Sequence, residues 1–476
     1  MANFEYIYSK NSNSIELNLQ ESLKGNAIYR DNRFTFLNLS KVFESQIDWN
    51  YDKHGKLWTY NLTYFEYLDT LDRDDGLVLI ADFIEDIRVV KDGLEPFPIS
   101  LRAINWIKFL DKHHIRDKKI DDSLYAQYYI LLDNLEYHLL GNHLLENAFS
   151  LLFGGCYFDD AKLYSRAREI LIYELDRQIL GDGGHFELTP MYHQLMLFRL
   201  LDSINLLQNS PKEDRLLELL IEKASLMLGW LKAITYQNGD IPLLNDSTNQ
   251  VAPTSNELFD YAKELHIDIK DIELNQSGYR KIIKKRYELV LDIGNIGADY
   301  IPGHAHSDTF GFELYIDSKP FIVDSGLSTY EPNATRAKER ATLAHNTVEI
   351  NGTNQSEVWG AFRVANRACV LDIEETKDSI SATHDGYKRA FSLLHRRKWC
   401  FKEESIVIKD IISRECSAIF RLHFHPDITK KDIERRVMYS DFKLETYQYA
   451  REFNKKEDAF VLEIDFEKDL RVEINI

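Results

Sequence analysis

Apolar residues recur at i, i+3, i+4 and i+7 through a long series of segments after Leu57, the spacing that aligns side chains on one face of an α-helix. "LWTYNLTYFEYLDTLDR" opens the series, followed by "LVLIADFIEDIRVV", "SLRAINWIKFLDKH", "SLYAQYYILLDNLEYHL" and "NHLLENAFSLLFGGCYF". "AKLYSRAREILIYELDRQIL", "MYHQLMLFRLLDSINLL" and "DRLLELLIEKASLMLGWLKAI" complete it. Short connectors such as Pro96-Phe97-Pro98 and Gly181-Asp182-Gly183-Gly184 separate the segments. Pro190 marks a helix start, which puts Tyr192 and His193 in its first turn. The pattern predicts a layered all-α domain: a bundle, a solenoid or an α/α toroid. Ahead of it, residues up to about Asn50 are mixed, with one short strand-like stretch, "RFTFLNLSKVF".

Near residue 275 the period changes to two. "YELVLDIGNIG", "FGFELYID", "KPFIVDSG", "NTVEING", "RACVLDIEE", "SISATHDGY", "AIFRLHFHPDI" and "AFVLEIDFE" are short alternating runs punctuated by Gly, Asp, Asn and Lys. They predict an antiparallel sheet or β-sandwich. The chain therefore divides into an α-helical domain over 1–275 and an antiparallel β-sandwich domain over 276–476. A cleft where two such domains meet is a natural ligand site.

The densest polar signal lies in the stretch Ile301–Val348. It holds His304-Ala305-His306-Ser307-Asp308, then Val323-Asp324-Ser325-Gly326, then Ala344-His345-Asn346-Thr347. In a strand, His304, His306 and Asp308 would share one face, followed by Phe310, Phe312, Leu314 and Ile316. Two imidazoles and a carboxylate are costly to bury unpaired, so they point to a metal site, an acid–base site or both. The alternative is a polar rim on a sheet edge.

Other polar groups sit on otherwise apolar helices. Asn142-His143 opens one of them, with Asn142 readable as its N-cap. "GDGGHFELTPMYHQLML" holds His185, Glu187, Tyr192 and His193. "IPLLNDSTN" offers Asn245 and Asp246, readable as an Asx-turn. Trp58, Tyr60, Tyr64 and Tyr67 fall within a few turns of one another, either as core or as a platform for stacking sugar rings.

Composition narrows the classes. A chain of 476 residues exceeds one ordinary core. Its net charge of −19 argues against a broad nucleic-acid surface. Arg336, Lys338, Arg340, Arg363 and Arg367 nevertheless crowd the histidine cluster, either as a locally basic site or as a solvated face. Four scattered cysteines form no CxxC, so neither a disulfide framework nor a Cys-zinc site is indicated. The N-terminus lacks a secretory pattern, and no apolar run reaches the roughly 18 residues needed to span a bilayer. As written the chain is expected to be cytoplasmic, or periplasmic or secreted if it represents a mature form.

The order of Asn142-His143, "HFELTPMYH", "HAHSDTFGFELYIDSKPFIVDSG" and "AHNTV" resembles the heparinase II/III-like polysaccharide lyases. The resemblance runs from about Trp58 to Arg367, and "YNLTYFEYL" is similar to members found among bacterial surface-polysaccharide genes. It implies an incomplete α/α toroid followed by an antiparallel β-sandwich. It also implies β-elimination of a uronic-acid-containing glycan. In that chemistry a base takes the proton from C5, an acid protonates the leaving oxygen, and the sugar carboxylate is neutralised. By position, Tyr192 resembles the catalytic tyrosine, as acid and also as base. Asn142 and His143 resemble the neutralising pair, and His304 the histidine presented from the β-domain. His306, Asp324 and His345 resemble the metal ligands, implying a structural divalent metal, zinc in the best-matching pattern. His185, Glu187, Tyr60, Tyr64 and Arg340 are the expected substrate contacts.

The acidic balance and missing export signal favour a less charged uronate glycan than heavily sulfated heparin. Two other readings stay open: a non-lytic glycan-binding or assembly protein of surface-polysaccharide synthesis, and a metal-dependent glycan hydrolase in which His306, Asp324 and His345 activate water.

Overall fold

The structure, a computed structural model, describes residues 14–210, 215–439 and 441–476. Helices occupy Lys56–Tyr64, Arg73–Asp86, Pro96–Lys112, Lys118–Asp133, Gly141–Tyr157, Ala161–Gln178, Pro190–Gln208, Arg215–Ile234 and Ser255–Glu264. The strand-like stretch near the N-terminus is a three-stranded antiparallel meander, Ile28–Arg30, Arg33–Phe36 and Leu39–Val42.

Several helices start where a side chain satisfies the orphan amides of the first turn. Asp72, Asp117 and Asp160 each accept two such backbone N–H groups. Thr254 closes a capping box with Glu257. Gly155 explains the tight contact between Gly141–Tyr157 and Ala161–Gln178, because a Cβ there would sit 2.6 Å from the backbone nitrogen of Tyr164. Trp58 and Tyr67 are fully buried, which places these two aromatics in the core.

The chain divides into two compact units. One holds the chain up to Ile179 with Gln194–Leu228 and Gln250–Lys270; the other holds Leu180–His193, Gly229–Asn249 and Asp271–Ile476. The cut falls after His193, so Tyr192 belongs to the strand-rich unit although it lies on the helix Pro190–Gln208.

In that unit the strands form antiparallel sheets. A six-stranded sheet runs Val370–Thr376, Ser379–His384, His395–Phe401, Ser405–Ile412, Asp469–Asn475 and Val437–Met438. One four-stranded sheet runs Lys443–Glu452, Lys455–Phe466, Ala418–His423 and Val348–Ile350. Another runs Tyr279–Ile283, Tyr287–Asp292, Phe312–Ile316 and Lys319–Ile322. Leu289, Leu314, Trp399, Ile408, Phe420, Leu462 and Val472, drawn from all three, share one core, the arrangement of a sandwich. Strand Phe312–Ile316 is buried on both faces. Phe312, Leu314 and Ile316 enter this core, while Tyr315 stacks on Tyr236 with ring centroids 3.7 Å apart.

One expectation fails here. His304, His306 and Asp308 do not alternate along a strand; residues 301–311 are loop, and regular pairing begins only at Phe312. The reason is where the backbone groups bond. Asp246 N donates to His304 O, Ser307 N to Arg340 O, and Gly311 N turns back onto Asp308 O. Among the described residues no neighbouring strand pairs with the histidines, and Phe310 sits at φ 68°.

Candidate active site

The histidines of this loop gather around one carboxylate that belongs to another part of the chain. Asp246 lies in the coil after the helix Arg215–Ile234 and is fully buried. Its Oδ2 is 2.9 Å from His304 Nδ1, and its Oδ1 is 2.8 Å from His306 Nε2. Arg336 grips the same carboxylate from the far side, Nη1 to Oδ1 at 2.5 Å and Nη2 to Oδ2 at 2.7 Å. Burial alone would raise the Asp246 pKa, but Arg336 and the two imidazoles hold it well below the usual carboxylate range. Asn245, at φ 56°, supports the loop through Oδ1, which accepts from His306 N at 2.9 Å.

Tyr192 faces the outer histidine. The Tyr192 and His304 rings lie 4.0 Å apart at 30°. The Tyr192 hydroxyl is 3.4 Å from that of Tyr330. Burial pushes the Tyr192 phenol above its ordinary value; the hydrogen bond to Tyr330 and the charge of Arg336 oppose this only in part. At neutral pH Tyr192 is therefore a protonated phenol, suited to act as a proton donor. His304 retains 14% side-chain exposure while His306 has none, so of the pair only His304 meets solvent. His185 and Glu187 lie on the segment leading into the Tyr192 helix, with Nδ1 and Oε2 4.0 Å apart. Burial lowers the His185 pKa.

Behind this group stand His306, Asp324 and His345. His345 Nδ1 is 2.7 Å from Asp324 Oδ2, and the His306 and His345 rings are 5.3 Å apart. Burial lowers His306 to about 4. Burial would also lower His345, but the carboxylate of Asp324, with those of Asp308 and Asp292, raises it above the ordinary imidazole value. Among the described residues no three His, Cys, Asp or Glu side chains ring a common point as they stand. The donors nevertheless fit a divalent metal. His306 Nδ1 and His345 Nε2 are buried without any hydrogen-bond partner, which is costly unless something else binds there. Two imidazoles and a carboxylate are the donor chemistry zinc takes.

Arg340 is wholly buried. Its Nη2 donates to Ala305 O at 2.9 Å, so it braces the histidine loop from within the protein. A deeper brace escaped the sequence reading. Arg397 donates Nη1 to Phe310 O at 2.9 Å and to Asn346 O at 2.8 Å, which ties together the loops carrying His306 and His345. Asp410 holds Arg397 by two bonds and also lies 2.6 Å from His395 Nε2.

The remaining expected residues belong to the helix-rich unit. Asn142 is not an N-cap: Leu140 holds that position, at φ 55°, and Asn142 is buried inside the first turn. His143 Nδ1 lies 3.1 Å from Glu136 Oε1, and its ring is 4.6 Å from Phe97. Phe97 is 6.1 Å from Tyr64, which is 6.1 Å from Tyr60, so these residues form one line of rings ending at His143. Tyr60 donates its hydroxyl to Glu95.

In the sequence Asp246 reads as an Asx-turn and Arg336 as part of either a locally basic site or a solvated face, and Tyr330 carries no signal. The signals available were the pair Asn245-Asp246 directly after an apolar turn and the crowding of Arg336 among the basic residues near the histidine cluster.

The profile described as the heparinase II/III N-terminus matches residues 102–273, and that of the heparinase II/III-like C-terminal region matches 269–468. This chain belongs to the heparinase II/III-like family. Its relatives include a heparin-sulfate lyase of Bacteroides stercoris, 22% identical over 316 residues, which cover 60% of this chain and 46% of that protein. Another is a heparin-sulfate lyase of Pedobacter heparinus, 24% identical over 244 residues, covering 45% and 36% respectively. The chain thus spans less than half the length of the curated relatives it matches. A crystal structure of heparinase III superposes with a TM-score of 0.70 at 16% identity, covering 99% of this chain and 88% of that one. The heparinase II/III-like fold, an α-toroid followed by a β-sandwich, accommodates the helices and sheets described above.

Proposed function

We propose that this chain is a polysaccharide lyase that cleaves a uronate-containing glycan by β-elimination. The observation that carries the reading is the protonated phenol of Tyr192 lying against His304, an imidazole oriented through its Nδ1 by the Asp246 carboxylate. Elimination needs a base at C5–H and an acid at the leaving oxygen. Asp246 holds His304 in one orientation through its Nδ1, as a buried aspartate does for a catalytic histidine. His304 takes the C5 proton, the C4–O bond breaks, a C4=C5 double bond forms, and Tyr192 gives its proton to the departing oxygen. The cycle closes when the proton on His304 is returned to Tyr192, whose ring lies 4.0 Å from the imidazole ring. The family pattern assigns neutralisation of the sugar carboxylate to Asn142 and His143; Tyr60 and Tyr64, as flat rings able to stack on a sugar, and His185 and Glu187 are the further candidate substrate contacts.

His306, Asp324 and His345 would hold a divalent metal, with zinc the best match to the donors. Bound there, it supplies a cross-link between the loops that place His304. The heparin-sulfate lyases among the relatives support a glycosaminoglycan as the substrate class.

The test is incubation with a panel of uronate polymers, read by ultraviolet absorbance for the conjugated product and by mass spectrometry for unsaturated ends. Tyr192→Phe should abolish the absorbance while leaving the fold intact. Saturated ends, or full activity in Tyr192→Phe, would overturn the assignment.

A further inference from the structure

We propose that the hairpin formed by strands Glu357–Trp359 and Arg363–Ala365 is a sugar-binding lip of the active site, taking an acid-bearing sugar unit that flanks the one being cleaved. This rests on the elimination reading above and names part of its substrate contact. Five of the six tryptophans are buried to 2% exposure or less, whereas Trp359 is 51% exposed. Packing does not account for an indole left in water on a two-stranded hairpin. Arg363 is its direct cross-strand partner, and such partners stand side by side on one face of the ribbon. Arg363 is exposed and makes no ion pair among the described residues. Glu357, paired with Ala365, is the next residue on that face, so the guanidinium is not part of a general basic patch.

The hairpin is fixed to the reactive group. Arg336, which grips Asp246, also donates Nε and Nη2 to Ala361 O in the hairpin turn at 3.1 and 3.0 Å. Phe362, in the same turn, sets its ring 5.8 Å from His304 and 5.3 Å from Tyr330. One carboxylate therefore sets both the histidine and the turn that carries the indole. The apolar face of a pyranose stacks on an indole, and a guanidinium pairs two-pronged with a carboxylate or sulfate. An indole and a guanidinium side by side match a sugar that carries an acid group.

The experiment compares wild type, Trp359→Ala and Arg363→Ala by steady-state kinetics on a uronate polymer and by calorimetric binding of its oligosaccharides. Both side chains are exposed, so both variants should fold. Each should raise KM and weaken binding about ten-fold, with kcat changed less than about two-fold. The Arg363→Ala effect should vanish on carboxyl-reduced, sulfate-free oligosaccharide, and the Trp359→Ala effect should persist. Variants that bind as wild type does, or that lose kcat with KM unchanged, overturn the lip. So does a change in sedimentation with glycan affinity intact, which would make the hairpin a contact between copies. A wild type that binds these glycans without yielding unsaturated product sinks the elimination reading alone. A wild type that binds none of them sinks both.

Discussion

His304 Nδ1 lies 2.9 Å from Asp246 Oδ2, joining two residues 58 positions apart in a contact from which the rest of the site is built. The carboxylate sets the imidazole's orientation, and Arg336 keeps the carboxylate charged. Asp246→Asn retains an oxygen but loses the charge. It should lower kcat roughly 10- to 100-fold, as changes to groups that orient a reactive histidine do. It should also cost about 3 kcal/mol in stability, because Arg336 is left buried without a counter-charge. Kinetics together with denaturant unfolding check both halves; unchanged kcat in a folded variant would remove Asp246 from the mechanism.

Metal binding by His306, Asp324 and His345 is expected to be near stoichiometric and to stabilise the strand-rich unit. Elemental analysis of the purified protein should find about one divalent ion per chain, zinc by donor chemistry. Chelation should lower Tm, and His306→Ala should lower both metal content and Tm. Protein that is metal-free as purified, takes up no added zinc and shows no Tm response would count against the assignment.

Glu66, in the helix-rich unit, gives a pH dependence that does not involve the reaction. Burial, reinforced by Asp69 and Glu146 and opposed by Arg199 and Lys108, pushes its carboxyl up to about 7. The folded chain then holds this proton more tightly than the unfolded chain does. Stability therefore falls as pH rises from the ordinary carboxyl value toward 7 and is level above it. Glu66→Gln should remove that loss, gaining on the order of 1–3 kcal/mol at pH 8 and almost nothing near pH 4. Equal gains at both pH values would show that the carboxyl is not raised.

Arg397 offers a test of the internal brace. Arg397→Met leaves Asp410 buried with only His395 beside it and frees the carbonyls of Phe310 and Asn346. The expected loss is about 3–5 kcal/mol in unfolding free energy, as for other buried pairs stripped of one partner. An unchanged denaturation midpoint would mean the brace is dispensable.

Much of the fold was legible without coordinates, because helix and strand periods are local properties of the chain. The 3.6-residue pattern marked the helices from Lys56 to Ile234, Pro190 announced the turn that carries Tyr192, and the alternating runs after residue 275 marked the sheets. The order of the motifs holding Tyr192, His304 and His345 resembles that of the heparinase II/III-like lyases, and that resemblance implied the chemistry. What the sequence left undecided were the features set by distant partners. The histidine loop looked like a strand because alternation was visible and the absence of a pairing neighbour was not. Asp246 reads as a turn residue, and Arg336 as either a locally basic site or a solvated charge, because nothing local records that they meet. Arg340 looked like a substrate contact until its guanidinium was found bonded to Ala305 O inside the protein. Tertiary packing made these choices because a charge removed from water must find its counter-charge wherever the fold brings one, however far away along the chain.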